Sequence, residues 1–270
     1  MSDRPSTLMQ AAADVARLAG QHAIRHFRTN IPVERKPDGS PVTAADREAE
    51  QAAREWIERY FPDDGVLGEE LGSLRPEARR RWLIDPIDGT RSFVRGVPLW
   101  GSMVAVARGE AVLAGAVYFP ALGEVVVAAP GCGCWWNGIE CAVSRVTDLA
   151  QAAVLMTDER FGGDRARREA WERLAARAGL SRSWGDCYGY LLVATGRAEV
   201  MVDPALSPWD SAALMPIIEE AGGVFTDWRG ARTAFGGSVV ATNSGVAREA
   251  RALRARPPRH TRLVSARLAA

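Results

Sequence analysis

Lysine is almost absent from this chain. Of its 34 basic residues only Lys36 is a lysine, so guanidinium groups carry nearly all the positive charge and the single ammonium invites a question of its own. Histidine is scarce as well: His22, His26 and His260 are the only three. None lies near a motif-like stretch, which disfavours Ser-His-Asp or Cys-His nucleophilic catalysis. His22 and His26 stand four apart on a helical pattern, but Ala23 occupies the place of the glutamate in the zinc-protease signature, so both are read as helix-surface or packing residues. Four cysteines, Cys132, Cys134, Cys141 and Cys187, have no neighbouring histidine to complete a zinc pattern, and Cys132 and Cys134 are too close in sequence to pair well. They are expected as free, mostly buried thiols of a cytosolic protein. No apolar run reaches the roughly 18 residues of a membrane-spanning helix, and the polar, amphipathic N-terminus does not read as a secretory signal. A formal charge of +1 removes the electrostatic case for a nucleic-acid partner. The expectation is a cytoplasmic protein with neither a membrane nor a nucleic acid as partner.

What remains is an ordinary globular composition, 47% hydrophobic and 25% charged over 270 residues, enough to bury a sizeable core. Apolar positions at spacings of three and four predict a helix over 7–28, and a second runs over 44–60 up to Phe61-Pro62. A loop rich in proline and glycine between them holds Lys36. The segment 65–72 reads as a short strand opening into paired carboxylates, and it precedes a strand leading to Asp85. Three β-rich runs, 101–107, 111–119 and 125–129, are separated by turn formers and predict an antiparallel meander. The rhythm then changes to alternation: strand 153–156, helix 165–178, helix 188–195, strand 198–202, helix 209–221 and strand 224–226. The chain therefore divides into residues 1–147, with two helices and an antiparallel sheet; 148–255, an α/β part; and 256–270, an arginine-rich tail expected to fray.

With histidine chemistry disfavoured, the acids carry the argument. Glu69 and Glu70 end one strand, Asp85 and Asp88 frame the end of another in WLIDPIDGTRSF, and Asp210 opens a helix. Carboxylates brought together repel unless a cation sits among them, and an all-oxygen ligand set suits Mg²⁺ or Mn²⁺. Pro86 bars a regular ladder, so the chain is expected to turn between the two aspartates and aim both, with the Ile87 carbonyl, at one small volume. Gly89 beside Thr90 permits close backbone approach, and amides at a following helix start suit a phosphate oxygen. Read alone, DPIDGT is also compatible with a capped, solvated turn.

WLIDPIDGTRSF resembles the first signature of the inositol monophosphatase superfamily. LGEE at 67–70 resembles the acidic segment before it, PVTAADREAE at 41–50 the N-terminal helix start, and SPWDSAALMPIIEEAGG at 207–223 the second signature. Arg91-Ser92 after DGT, and WGDCYGY at 184–190, are similar to the histidinol-phosphate phosphatases of that superfamily. The resemblance implies an α+β fold layered as an α-β-α-β-α sandwich, usually a homodimer, and a phosphomonoester hydrolase with two or three Mg²⁺, for which Mn²⁺ can substitute. It assigns Glu69, Asp85 and the Ile87 carbonyl to one metal, Asp85, Asp88 and Asp210 to a second, and Glu70 with Asp88 to a weaker third. Asp46 and Thr90 become the pair that orients and activates the attacking water, Glu69 and Asp88 counting with them as catalytic, and the Gly89 and Thr90 amides bind phosphate.

The partner is then a small phosphorylated metabolite, and its choice rests on side chains beyond the metal cradle. Histidinol phosphate carries an ammonium and an imidazole, inositol phosphate neutral hydroxyls, so extra anions at Asp186 and Asp203 favour the former. Each has a plainer reading, as helix cap and strand-end turn. Arg91 and Ser92 are candidates for the substrate site too, although Arg91 could equally order its turn. Lys36 either pairs with acids of the site or is one solvated lysine. Trp184, Tyr188 and Trp209 are read as packing residues before ring-stacking ones. The expected reaction is hydrolysis of L-histidinol phosphate in histidine biosynthesis, with inositol 1-phosphate or another small phosphate ester as the alternative.

Overall fold

A computed structural model describes residues 4–254. The tail expected to fray, with His260, lies outside the described residues. The first helix, α1 (Pro5–Ala23), starts on a proline at its first position, where no amide partner is needed, and continues as a short 3₁₀ turn, Ile24–His26. A two-stranded hairpin, β1 (Glu34–Arg35) and β2 (Pro41–Val42), carries Lys36 in its loop. Helix α2 (Ala44–Tyr60) is set by a capping box in which Thr43 and Asp46 exchange hydrogen bonds.

Next come β3 (Gly65–Gly68), β4 (Gly72–Leu74), β5 (Arg81–Asp88), the single turn α3 (Thr90–Phe93), β6 (Gly101–Arg108), β7 (Ala111–Phe119), β8 (Glu124–Ala128), β9 (Cys134–Trp136) and β10 (Ile139–Glu140). They form one eight-stranded sheet in the order β10-β9-β8-β7-β6-β5-β3-β4, antiparallel except where β3 and β5 run together. A second sheet takes β11 (Ala153–Met156), β12 (Leu180–Arg182), β13 (Val200–Asp203), β14 (Val224–Thr226) and β15 (Val239–Thr242), in the order β12-β11-β13-β15-β14. Its helices are α4 (Arg165–Ala175), α5 (Asp186–Ala194), α6 (Pro208–Ser211), α7 (Leu214–Glu220) and α8 (Ala247–Arg254).

Three apolar cores show the layering. The first joins α1 and α2 to one face of the large sheet through Leu8, Val15, Ile57, Trp82 and Val104. The second fills the space between the sheets with α5 and α7, where Met103 and Phe119 meet Leu191, Ile217 and Phe225. The third packs α4 and α8 on the outer face of the small sheet around Val154, Trp171 and Val240. The result is the α-β-α-β-α sandwich. Among the described residues no helix is long and apolar enough to cross a membrane.

Two expectations need correction. The chain does not leave the sheet after Asp85: β5 runs on to Asp88, and Pro86 is accommodated by a register shift, Asp85 facing Met103 and Asp88 facing Gly101. A bulge tolerates proline because the extra residue makes no ladder bond, and the Ser102 hydroxyl donates to the Pro86 carbonyl at 2.7 Å to hold it. The helix expected over 209–221 is two, α6 and α7. Pro216 has no amide to give the Ala212 carbonyl one turn back, and the hydrogen-bond ladder breaks there.

Candidate active site

Five elements bring six acids to one cavity of about 390 Å³. Glu69 follows β3, Asp85 and Asp88 close β5, Asp203 closes β13, Asp186 opens α5 and Asp210 lies in α6; all line it, with Ile87, Gly89, Thr90 and Arg91. Oxygens of Glu69, Asp85 and Asp210 lie within 4.8 Å of one another. Burial, then repulsion from Glu69, Asp88 and Asp210, holds Asp85 well above the ordinary carboxylate range. Asp88 is raised for the same first reason, with Asp186 and Asp210 adding. Asp210 is pushed up to about 7 by burial, against the Ser207 amide that bonds it and with Glu69 adding.

Such a cluster is costly as it stands and becomes favourable around a cation. Three carboxylates within reach of one point, with no nitrogen or sulfur, fit a divalent hard metal. The Ile87 carbonyl accepts the Thr90 hydroxyl at 2.9 Å, and the Ile87 amide donates to Asp85 at 3.0 Å. Asp88 accepts the Cys187 amide, so the start of α5 is tied to the end of β5.

Asp46 is buried, and one of its oxygens receives both the Thr43 amide at 2.8 Å and the Thr43 hydroxyl at 2.7 Å. The other faces Thr90, whose hydroxyl lies 3.4 Å away and nearer to Ile87. Burial raises the Asp46 carboxyl against the pull of those Thr43 bonds. The expected Asp46–Thr90 pair is thus brought together, with Asp46 also capping α2.

Lys36 is not a solvated lysine. Its ammonium bridges Glu69 and Glu70, 2.6 Å from each. Burial alone would draw its proton off more easily, but the bonds to the two glutamates prevail and push its pKa up. Glu70 faces this lysine rather than lining the acidic cavity, and burial lifts it to about 7 against the Lys36 bond.

Asp186 does not cap α5 with its side chain. It stands in the left-handed region at φ 52°, an uncommon conformation for a residue with a Cβ, and its amide donates to the Thr157 hydroxyl at 2.9 Å. The Ser92 hydroxyl lies 3.3 Å from its carboxylate. Burial raises Asp186 to about 6, while Ser92 and the Arg91 charge pull the other way. Gly89, at φ 86°, passes so close that a Cβ there would meet this carboxylate at 3.0 Å. Asp203 is 4% exposed and accepts the Tyr190 hydroxyl at 2.8 Å. Burial pushes it to about 7, opposed by Thr157 and Tyr190 and reinforced by Asp186.

Ser92 lines the neighbouring cavity of about 940 Å³ rather than the acidic one. Tyr188 packs edge-on against Phe119, Trp209 lies half-buried against the middle core, and Trp184 is exposed. Sequence reasoning missed Glu50, Thr157 and Tyr190. Glu50 is fully buried, accepts the Glu70 and Leu71 amides at 2.7 and 3.2 Å, and is held by Arg54 at 2.8 Å. Its signal was a glutamate one turn after Asp46 on the buried face of α2, four residues before an arginine.

The model of the inositol monophosphatase family matches residues 4–261. A histidinol-phosphatase of Chlorobaculum parvum is 44% identical over 89% of this chain and 93% of its own length. A histidinol-phosphatase of Mycobacterium tuberculosis is 37% identical over 87% of this chain and 93% of its own. Among solved structures, an inositol monophosphatase from Zymomonas mobilis superposes with a TM-score of 0.83 at 30% identity, covering 92% of this chain and 98% of that one. The chain belongs to the inositol monophosphatase family and is a metal-dependent phosphatase.

Proposed function

We propose that this enzyme hydrolyses L-histidinol phosphate to L-histidinol and phosphate with Mg²⁺, in histidine biosynthesis. The observation that carries this reading is the second acidic pair, Asp186 and Asp203, in the wall of the cavity that holds Glu69, Asp85 and Asp210. A buried carboxylate, Asp203, and a half-buried one, Asp186, beyond the metal cluster have no use for a leaving group of neutral hydroxyls, but they suit an ammonium. The histidinol-phosphatases of C. parvum and M. tuberculosis support the same choice.

Glu69, Asp85, Asp88 and Asp210 would hold the metal, with the Ile87 carbonyl within the same cavity. When bound, Mg²⁺ supplies Lewis acidity, neutralising charge on the phosphoryl oxygens and acidifying water. The chain's own residues do the rest. Thr90 orients the attacking water through its hydroxyl, which would turn from the Ile87 carbonyl to donate to the facing Asp46 oxygen 3.4 Å away. The Gly89 and Thr90 amides position the phosphate where β5 gives way to α3. Asp186 and Asp203 orient the ammonium end, Thr157 tying the two together through the Asp186 amide and the Asp203 carboxylate.

Phosphate release from a panel of esters with Mg²⁺ tests the reading. Histidinol phosphate is expected to be turned over with the highest kcat/KM; inositol 1-phosphate hydrolysed as well or better overturns the assignment.

A further inference from the structure

The hairpin β9–β10 carries two cysteines that sequence spacing did not pair. Its turn is Asn137-Gly138, both left-handed at φ 50° and 79°, a two-residue hairpin turn that fixes the register of its strands. Ile139 faces Trp136 and Glu140 faces Trp135. One step on, Cys141 faces Cys134, its amide donating to the Cys134 carbonyl at 2.9 Å. The two sulfurs are 3.5 Å apart. Opposed residues of an antiparallel pair hold their Cα atoms about 4.5–5.5 Å apart, within the span a disulfide bridges. The sites are unequal: Cys134 is fully buried in the middle core, whereas Cys141 is half-buried at the surface. The bond with Cys134 and the nearby Arg197 charge favour the Cys141 thiolate, while Cys134 is pushed up.

We propose that Cys134 and Cys141 are a reversible dithiol–disulfide pair, oxidised by low-molecular-weight disulfides such as oxidised glutathione, that staples the end of the large sheet. The Cys141 thiolate attacks one sulfur of the small disulfide, whose S–S bond breaks and releases one thiol after protonation. Cys134 loses its proton to solvent and attacks the Cys141 sulfur, expelling the second small thiol. Two protein thiols are oxidised and one small disulfide is reduced. The hairpin is moored to the C-terminal end of α7: the Gly131 and Gly133 amides donate to Glu220 at 3.0 and 2.9 Å, and the Val143 amide to the Ala221 carbonyl at 2.9 Å. Asp210 lies before the other end of that helix. The staple therefore stabilises the fold and leaves phosphate release unchanged.

Trypsin releases residues 109–145 as one peptide holding Cys132, Cys134 and Cys141, so C132S makes the linkage unambiguous. The full-length C132S protein is equilibrated in glutathione buffers from fully reduced to fully oxidised, alkylated and mapped by mass. The expected result is loss of two hydrogen masses from that peptide, an alkylated Cys187, reversal by dithiothreitol, and an unfolding temperature a few degrees higher. The link is expected to vanish in C132S/C141S. Glutathione left attached to Cys141, or no link in buffer that oxidises a reference dithiol peptide, overturns the pair; a link without a rise in unfolding temperature, or with altered phosphate release, overturns the staple.

Discussion

Glu50, Asp64 and Glu199 are as deeply buried as Asp85, yet they sit in surroundings opposite to those of the acids of the metal cluster. Asp64 receives Arg80 and the Trp82 indole, each at 2.7 Å. Glu50 has Arg54 and two amides, and Glu199 has the Ser144 hydroxyl at 2.7 Å and the Ala153 amide at 2.6 Å. Each was desolvated together with its partners. In the cavity the acids face one another instead, and burial with mutual repulsion raises Asp85, Asp88 and Asp210. Burial alone does not mark a functional acid; burial beside other acids does, because the compensating charge must arrive from outside.

Substitutions can separate the two groups. Asp85→Asn is expected to lower kcat roughly 10³-fold, about 4 kcal/mol of transition-state stabilisation, and to make the metal-free protein more stable at pH 8. Saturating kinetics beside thermal melts without metal would show both. Arg54→Met acts in the opposite sense: it strands the Glu50 charge, and chemical denaturation is expected to show a loss of about 3 kcal/mol that Mg²⁺ does not make good. Asp186→Asn is expected to cut kcat/KM for histidinol phosphate about tenfold to a hundredfold while barely touching a neutral ester, in parallel assays of the two substrates.

The smallest effect is a pH dependence. Asp210 and Asp203 are raised to about 7 and Asp186 to about 6, so folding favours their protonated forms. That contribution is complete below their ordinary range near 4 and is lost as pH rises through 6 to 7. Without metal, the unfolding temperature attributable to this cavity should fall from pH 5 to pH 8. In Asp85→Asn/Asp210→Asn the fall should be shallower.

Much of this was legible from local chemistry. The helix 44–60, the strands 111–119 and 153–156 and the meander follow from period and turn residues, and a strand falls within 65–72. Asp85 and Asp88 were legible as a shared cation site, and the resemblance to the inositol monophosphatase signatures added Glu69 and Asp210. Partnerships across distance were less legible: Lys36 meets Glu69 and Glu70 over 33 and 34 residues, one of the two readings left open for it, and Ser92 meets Asp186 over 94. Tyr190 read as part of an apolar helix, and only tertiary packing turns its hydroxyl toward Asp203. The splitting of α6 from α7 is signalled by Pro216, but the apolar pattern continues through it and masks the break. The hairpin signal Asn137-Gly138 was likewise present, with strands only three and two residues long on either side.

The most direct measurement is the Mg²⁺-dependent rise in unfolding temperature at pH 8, taken on the wild type and on Asp85→Asn/Asp210→Asn. A saturable rise in the wild type that is abolished in the double variant is expected if the clustered acids await a divalent cation. No rise in the wild type, or one that survives undiminished in the variant, contradicts it.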